Sequence, residues 1–233
     1  MFLPDLTDAE RASAEHLVDL ALTEDLGARG DVTTEALVAE SERGVVDVVA
    51  RETGTIAGGV VLPIVFAKLD GRVRIQFDVP DGGQVVRGVR VARIEGPLRA
   101  LLTGERTALN FLLRLSGIAT QTRQFVDRIA GTRSDIFDTR KTLPGWRLLD
   151  KYAVRAGGGK NHRIGLYDQI LIKDNHLAGW QASGAGHSIP EAIRRARTAV
   201  PGMIVEVEVD TLEQLRTALS AHPDIILLDN MDI

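Results

Sequence analysis

Four short apolar runs in the second half of the chain end in or next to charged residues, and this pattern restricts the fold more than any other feature. The runs cover residues 136–140, 170–173, 204–209 and 225–228. Helical patterns separate them at 145–156, 190–200 and 212–221. Short apolar strands that alternate with helices are typical of a parallel sheet in an α/β protein. We therefore expect the charges to gather at one edge of that sheet.

The position of these charges favours an α/β barrel over an open doubly wound sheet. The charged groups belong to Arg140, Lys141, Lys173, Glu208 and Asp229. Barrel enzymes draw their catalytic groups from the carboxyl ends of several strands. A dinucleotide-binding sheet would instead need a glycine fingerprint directly after a strand. The glycines at 157–159 follow a predicted helix, so we expect them to end that helix and turn the chain.

The chain before Pro97 follows a different pattern from the rest. Strands are predicted at 44–51, 73–79 and 85–95, and helices at 8–22, 60–68 and 98–115. Neighbouring strands without long helical crossovers indicate an antiparallel sheet in an α+β module. We place the domain boundary between residues 112 and 113, with an N-terminal domain over 1–112 and the barrel domain over 113–233.

The composition excludes several classes of protein. A formal net charge of −4 argues against nucleic-acid binding driven by bulk positive charge, so the local cations point to a small anionic ligand. The absence of cysteine excludes disulfides, a thiolate nucleophile and a cysteine zinc site. The N-terminus does not match a signal peptide, and no apolar run is long enough to span a bilayer. We expect a soluble cytoplasmic protein without nucleic-acid or membrane partners.

Cations dominate the candidate ligand-binding residues. The group consists of Arg140, Lys141, Arg163 and Lys173, together with the imidazole of His162. Such a set predicts a polyanionic ligand, because guanidinium groups match carboxylates in geometry as well as in charge. Lys173 is the hardest to explain as structural, since it follows three apolar residues and a lysine buried without a partner is costly. For Arg140 and Lys141 a solvated strand end, and for His162 a structural role, remain open.

Two carboxylates at neighbouring strand ends indicate a metal site. Glu208 and Asp229 end adjacent predicted strands, and Mg²⁺ binds carboxylate and substrate oxygens. We therefore predict that these two residues bind Mg²⁺ together with the substrate. Arg106 lies at the edge of the apolar face of helix 98–115, where an ordinary surface arginine is the simplest explanation.

Several long segments resemble the quinolinate phosphoribosyltransferase family. In chain order they read GERTALNFLLRLSGIAT, DTRKTLPGWRLLDKYAVRAGGGKNHRIGLYDQILIKDNH, EVEVDTLEQL and IILLDNM. The resemblance implies an N-terminal α/β sandwich domain joined to an irregular α/β barrel, working as a homodimer. It also implies a Mg²⁺-dependent reaction in NAD biosynthesis. Quinolinate and phosphoribosyl pyrophosphate would give nicotinate mononucleotide, pyrophosphate and CO₂.

The resemblance implies substrate-binding roles for four residues. The arginine at position 106 would reach into the site of the partner subunit. Arg140, His162 and Arg163 would hold the two carboxylates of quinolinate.

The resemblance implies catalytic roles for four further residues. Lys141 and Lys173 would lie between quinolinate and phosphoribosyl pyrophosphate. Glu208 and Asp229 would face the ribose and the metal-bound pyrophosphate.

The family likeness also raises an expectation about the C-terminal end. Family members continue through further barrel strands with glycine-bearing loops that bind the 5′-phosphate. The barrel over 113–233 is therefore expected to be incomplete in this sequence. The stretch 180–188 is interpreted as a loop without an assigned role.

Three other functions remain open from the sequence. The first is a truncated or diverged paralogue that binds a pyridine dicarboxylate without turnover. The second is a barrel lyase that forms a Schiff base on Lys173, since aldolase lysines also end barrel strands. The third is a related pyrophosphorylase-like family associated with molybdenum transport, which is expected to depart from the LIKDNH and KNHRIG segments.

Overall fold

The structure is a computed structural model that describes residues 6–181 and 188–231. The chain divides into two compact units, Met1–His162 and Arg163–Ile233. The boundary predicted between residues 112 and 113 falls inside a continuous helix, α4 (Leu98–Arg128). The two compact units therefore meet after residue 162, whereas the sequence pattern placed the boundary 50 residues earlier in the chain. Part of the stretch predicted as a loop at 180–188 lies outside the described residues.

The first unit contains an antiparallel sheet and the longest helix of the described chain. Its elements are α1 (Asp8–Leu26), α2 (Val32–Leu37), β1 (Arg43–Val49), β2 (Gly54–Thr55), a 3₁₀ turn (Gly59–Val61), α3 (Leu62–Leu69), β3 (Arg74–Phe77), β4 (Gln84–Val85), β5 (Arg90–Pro97), α4 (Leu98–Arg128) and α5 (Arg147–Ala156). Three strands pair antiparallel in the order β1-β5-β3, and β2 pairs with β4. The α+β module predicted from the strand spacing is confirmed.

Local sequence signals explain where helix α1 begins. The side chain of Thr7 accepts a hydrogen bond from the backbone of Glu10, and the carboxylate of Glu10 accepts one from the backbone of Thr7. This reciprocal capping box satisfies two backbone N–H groups that the first helical turn leaves without partners.

Helix α4 runs through the core of the first unit. Its buried face includes Leu101, Phe111, Leu112 and Leu115, and each large apolar side chain buried in this way contributes about 1.5–3 kcal/mol. The helix extends beyond the predicted end at residue 115 and continues to Arg128. The apolar pattern did not show this extension, because the last turns are rich in polar residues.

The glycines after helix α5 have the predicted role and a further one. Gly158 has φ +89°, a left-handed conformation that ends the helix. A Cβ atom at Gly157 would lie 2.4 Å from the carbonyl oxygen of Ala119 in α4. Glycine at this position therefore lets the end of α5 approach the backbone of α4.

The second unit is a parallel α/β arrangement. Its elements are β6 (Ile170–Ile172), α6 (Asp174–Gln181), α7 (Ile189–Ala199), β7 (Val205–Val209), α8 (Leu212–Leu219) and β8 (Ile225–Leu228). The strands pair parallel in the order β6-β7-β8. Val205, Val207 and Val209 form one face of β7 and are buried in a cluster with Ile193 of α7 and Ala218 of α8. The prediction of parallel strands joined by helices is confirmed here.

The strand predicted at 136–140 is wrong. Within the described chain these residues form a single parallel bridge, between Phe137 and Lys160, instead of a strand. The apolar start is only two residues long, and the chain turns directly afterwards. The turn is closed by a hydrogen bond from the backbone N–H of Thr142 to the carbonyl of Arg140, 2.9 Å long.

No helix among the described residues combines the length and the apolar character that a membrane span requires.

The close contact at Gly157 predicts a specific effect of adding a methyl group. Gly157→Ala should destabilise the protein by about 1–3 kcal/mol, because the new Cβ atom would overlap a backbone oxygen. Gly117→Ala in the middle of α4 is the matched control, since no described atom lies within 4 Å of a Cβ atom there. The control should gain up to about 1 kcal/mol from helix propensity. Urea unfolding of both variants measures the difference, and equal stabilities would contradict the packing described here.

Candidate functional site

The first unit brings two cation-bearing segments together around one carboxylate. Asp138 accepts hydrogen bonds from the backbone N–H of His162 at 2.9 Å and from the side-chain amide of Asn161 at 2.6 Å. It also forms an ion pair with the ammonium of Lys151. The exposed fraction of the side chain is 7% for Asp138 and 2% for Lys151, so this ion pair is buried.

Lys151 completes a clamp on the peptide backbone of His162. Its Nζ donates to the carbonyl oxygen of His162 at 3.0 Å while it also contacts Asp138. The side-chain amide of Asn161 donates to the carbonyl oxygen of Lys151 at 2.9 Å. The N–H and C=O groups of His162 are thus held by the two members of one ion pair.

Backbone hydrogen bonds reinforce the same arrangement. The N–H of Lys160 donates to the carbonyl of Ile136 at 2.8 Å, and the N–H of Asp138 donates to the carbonyl of Lys160 at 3.1 Å. These bonds align segment 136–138 with residue 160. They bring the DTRK segment beside the KNH segment, although no regular strand forms.

Arg140 and Lys141 follow directly after Asp138. The Nε atom of Arg140 is buried and has no hydrogen-bond partner among the described residues. A buried donor without a partner is costly, and a bound anion would satisfy it. Lys141 is exposed, and its backbone N–H donates to the hydroxyl of Thr139 at 3.1 Å.

A polar pocket of about 490 Å³ adjoins these residues. Asp138, Thr139, Lys141 and Lys151 contribute to its lining, together with Arg114 of helix α4. A wider groove of about 800 Å³ shares Arg114 and Asp138 with this pocket, but Leu113, Phe125 and Phe137 make its lining mainly apolar. The smaller pocket suits an anionic ligand better, because Lys141 and Lys151 line it in addition to Arg114.

A second ion pair also lines the polar pocket. Arg114 donates from Nη2 to both carboxylate oxygens of Asp150 at 2.8 Å. Burial raises the pKa of Asp150 above its usual range, and the hydrogen bonds from Arg114 act in the opposite direction. The guanidinium of Arg114 also lies 5.0 Å from the ring centre of Trp146, which fixes its orientation.

In the second unit, Lys173 and Glu208 meet at the edge of the parallel sheet. The Nζ atom of Lys173 lies 2.7 Å from Oε2 of Glu208. The exposed fraction of the side chain is 41% for Lys173 and 11% for Glu208. This lysine is therefore partly exposed and carries a partner, which removes the cost expected for a buried lysine without one.

Strand register puts Asp229 on the same sheet face as Glu208. Glu208 pairs with Leu227, and residues that pair in neighbouring strands share a face. Asp229 follows two residues after Leu227, so it lies on that face, and its backbone N–H donates to the carbonyl of Val209 at 2.9 Å. Among the described residues, no group of three or more acidic, histidine or cysteine side chains is arranged to hold a metal.

The same sheet face continues inward with buried polar groups. Glu206 is 2% exposed and accepts a hydrogen bond from the amide of Gln169 at 2.5 Å. Arg163 is 8% exposed, and its Nη1 donates to the carbonyl of Gln169 at 3.2 Å. Part of the role of Arg163 is therefore to support the strand that leads to Lys173.

The predicted site residues thus fall into three groups. Arg140, Lys141 and His162 lie around the ion pair of Asp138. Lys173, Glu208 and Asp229 lie at the sheet edge of the second unit, which also contains the buried Arg163. Arg106 is exposed on helix α4, as the sequence indicated.

Sequence reasoning missed the residues that support the site. Asp138, Lys151 and Asn161 were not singled out, although each lies within the segments that carry the family resemblance. Lys151 is buried in α5, but its two-residue spacing from Leu149 and Ala153 places it off their apolar face, so the helical pattern gave no signal for its burial. A cation at such a position needs a buried acid as its partner.

These features define an α/β protein with cations and carboxylates suited to a small anionic substrate. Two sequence profiles match the chain: the N-terminal domain of quinolinate phosphoribosyl transferase over residues 31–116, and its C-terminal domain over 118–233. The chain belongs to the quinolinate phosphoribosyltransferase family.

Individual relatives agree with this assignment. The nicotinate-nucleotide pyrophosphorylase [carboxylating] of Mycobacterium leprae is 45% identical over 230 residues, which are 98% of this chain and 79% of that protein. The crystal structure of NadC from Streptococcus pyogenes is 40% identical with a TM-score of 0.90, and the match covers 99% of this chain and 79% of that one. The nicotinate-nucleotide pyrophosphorylase structure from Francisella tularensis is 37% identical with a TM-score of 0.88, over 98% of this chain and 78% of that one.

Proposed function

We propose that this protein transfers the phosphoribosyl group of phosphoribosyl pyrophosphate to quinolinate and releases pyrophosphate and CO₂. The product is nicotinate mononucleotide, a precursor in NAD biosynthesis. The observation that carries the proposal is the match of both family domains together with 45% identity to a relative of that name across 98% of the chain. The buried Nε of Arg140, without a partner among the described residues, supports an anionic substrate.

The quinolinate carboxylates are assigned to the cations of the DTRK and KNHR segments. Arg140 offers donors in the geometry of a carboxylate, and His162 and Arg163 follow in the clamped segment. A substrate held in this way presents its ring nitrogen to carbon 1 of the ribose. Orientation is a large part of the rate, because it converts an encounter in solution into a reaction within one complex.

The transfer step forms the bond between nitrogen and carbon 1 as the bond to pyrophosphate breaks. Pyrophosphate leaves with the electron pair, and Lys141 and Lys173 are assigned to the negative charge in this region. Positive charge develops on the ribose, and carboxylates such as Glu208 and Asp229 stabilise it. The ring nitrogen is then cationic.

Decarboxylation follows from that charge. The electrons of the bond to the 2-carboxylate flow towards the cationic ring as CO₂ leaves, and a proton from solvent takes the vacated position. The step therefore needs no cofactor of its own.

Mg²⁺ is the proposed cofactor, and Glu208 and Asp229 are the residues proposed to hold it. Mg²⁺ in proteins is usually bound by one or two carboxylates together with substrate phosphates, and two carboxylates on one sheet face fit that set. When bound, the ion would neutralise the pyrophosphate and improve it as a leaving group.

A cytoplasmic location also stays a prediction from the sequence.

A Schiff-base lyase receives no support from the surroundings of Lys173. Its nitrogen is engaged in an ion pair with the carboxylate of Glu208 at 2.7 Å, whereas a Schiff-base lysine directs its nitrogen at the carbonyl of the substrate.

The direct test is a product assay with quinolinate, phosphoribosyl pyrophosphate and Mg²⁺. Nicotinate mononucleotide, pyrophosphate and CO₂ should appear in equal amounts, and a chelator should lower the rate. Calorimetry of quinolinate binding runs in parallel. Binding without release of pyrophosphate would contradict the proposal and support a paralogue that binds a pyridine dicarboxylate without turnover.

The assigned roles predict that some variants lose quinolinate binding, whereas others keep quinolinate binding and lose turnover. Arg140→Ala should weaken quinolinate binding by about 2–5 kcal/mol, about thirtyfold or more, because it removes a partly buried charged donor. Asp229→Ala should leave quinolinate binding unchanged and lower turnover by about a hundredfold, as loss of a transition-state charge contact does. Glu208→Gln should behave like Asp229→Ala.

Arg133→Ala is the control for these variants, since Arg133 is an exposed arginine in the same unit as Arg140 and has no assigned role. Its binding and turnover should match the wild type. Wild-type turnover by both Asp229→Ala and Glu208→Gln would refute their assigned roles.

The proposed homodimer predicts complementation between inactive variants. We propose that Arg106, exposed on α4, acts in the site of the partner subunit. Arg106→Ala and Arg140→Ala homodimers should each be inactive. Mixed subunits should regain about a quarter of the wild-type activity, because random pairing in a twofold dimer leaves one intact site in half of the dimers.

A mixture of Arg140→Ala and Lys141→Ala subunits is the matched control. Both changes affect the site of the same subunit, so this mixture should stay inactive. Complementation there, or none with Arg106→Ala, would contradict the role of Arg106.

A further inference from the structure

We propose that the buried ion pair between Asp138 and Lys151 is a positioning device for quinolinate binding. It holds the backbone of His162 at a fixed distance from residues 139–141, which carry the first cations of the site. This inference rests on the proposed function. It concerns two residues that act through others rather than by touching the substrate.

The energetics of the pair argue against a role in stability alone. Removing two charges from water costs several kcal/mol for each ion, and their attraction often only offsets that cost. Apolar residues of similar size would commonly stabilise a fold as well or better. What Asp138 and Lys151 supply, and apolar groups would not, is a set of directed hydrogen bonds.

Those hydrogen bonds converge on the backbone of a single residue. The carboxylate of Asp138 receives the N–H of His162 at 2.9 Å, and the ammonium of Lys151 donates to its carbonyl at 3.0 Å. Asn161 adds a third anchor, with its amide 2.6 Å from the same carboxylate. His162 therefore cannot shift without breaking contacts to both charged groups.

The carboxylate is also tied covalently to the other segment. Asp138 is only two residues before Arg140, and its own N–H is bonded to the carbonyl of Lys160. One side chain thus sets the spacing between the cations after residue 138 and the residues after 160.

The substrate makes that spacing matter. Quinolinate carries its two carboxylates on neighbouring carbons of a rigid planar ring, so it cannot adjust to a change in the distance between its binding groups. A displacement of about 1 Å in such a site can cost a hundredfold in rate. Phosphoribosyl pyrophosphate is flexible, and of its proposed contacts only Lys141 lies in the segment that follows Asp138. The clamp is therefore expected to act mainly on quinolinate.

The test is the kinetic analysis of Asp138→Asn in the purified protein. The amide keeps the shape of the side chain, but it cannot accept from all three donors and it leaves Lys151 without its counter-charge. The KM for quinolinate should rise about tenfold or more, with the KM for phosphoribosyl pyrophosphate changed less than about threefold. Asn161→Ala should show the same pattern with a smaller increase: the KM for quinolinate should rise, and the KM for phosphoribosyl pyrophosphate should change less. The Asn161→Ala variant keeps the ion pair between Asp138 and Lys151, so no buried charge loses its counter-charge. It therefore tests the clamp if Asp138→Asn does not fold.

Asp81→Asn is the matched control. Asp81 is a second buried carboxylate with three donors, which are the N–H groups of Gly58 and Gly59 and the hydroxyl of Tyr152. The effect of burial, followed by that of the Asp81 carboxylate, raises the pKa of Tyr152, so this hydroxyl stays a donor at neutral pH. Asp81→Asn should lower the melting temperature as Asp138→Asn does, but leave the KM for quinolinate unchanged.

The outcomes separate this inference from the proposed function. Unchanged KM values in folded Asp138→Asn and Asn161→Ala, or equal increases for both substrates, would overturn the positioning role. A wild-type protein that forms no nicotinate mononucleotide would overturn the proposed function instead. Quinolinate affinity, measured by calorimetry in the same variants, would then test the clamp alone, and wild-type protein that does not bind quinolinate would remove both.

Discussion

The carboxylate of Asp138 organises the first unit around its cations. It receives a backbone N–H, a side-chain amide and an ammonium, all from residues that follow it in the chain. A buried charge of this kind is tolerated only when its partners are complete. The need to satisfy this one group forces the DTRK segment, helix α5 and the KNH segment into a single arrangement.

A different constraint acts in the second unit, where the parallel sheet determines what can meet. One face of β7 is valine and packs on α7 and α8, so its alternate residues, Glu206 and Glu208, must lie on the other face. Glu206 is buried behind Gln169, and Glu208 pairs with Lys173 at the carboxyl edge. Because side chains alternate between the two faces of a strand, Glu206 and Glu208 share the face that carries the proposed site residues.

The two units show why a protein with net negative charge can bind an anionic substrate. In each unit a cation among or beside the candidate site residues is paired with an acid, Lys151 with Asp138 in the first unit and Lys173 with Glu208 in the second. The buried Nε atoms of Arg140 and Arg114 lack a hydrogen-bond partner among the described residues, so these two arginines keep a donor for a bound anion. Local arrangement, rather than total charge, makes such a site selective for anions.

Sequence patterns predicted the parts of this protein that depend on local periodicity. The parallel strands ending at Lys173 and near Glu208 and Asp229 were predicted, because apolar runs bounded by charges are visible in the chain. The strand at 136–140 was wrong, since two apolar residues are too few to hold it. The clamp by Lys151 was missed because its partners lie 13 and 11 residues away in separate segments. Long-range pairing of this kind leaves no periodic signal.

A crystal structure of the complex with quinolinate would test the central claim most directly. We expect the quinolinate carboxylates to contact Arg140 and the segment that begins at His162, while Lys151 stays bonded to Asp138 and to the carbonyl of His162. Loss of the bond between Lys151 and Asp138 in favour of the ligand, or quinolinate bound away from these segments, would contradict the positioning role of the ion pair.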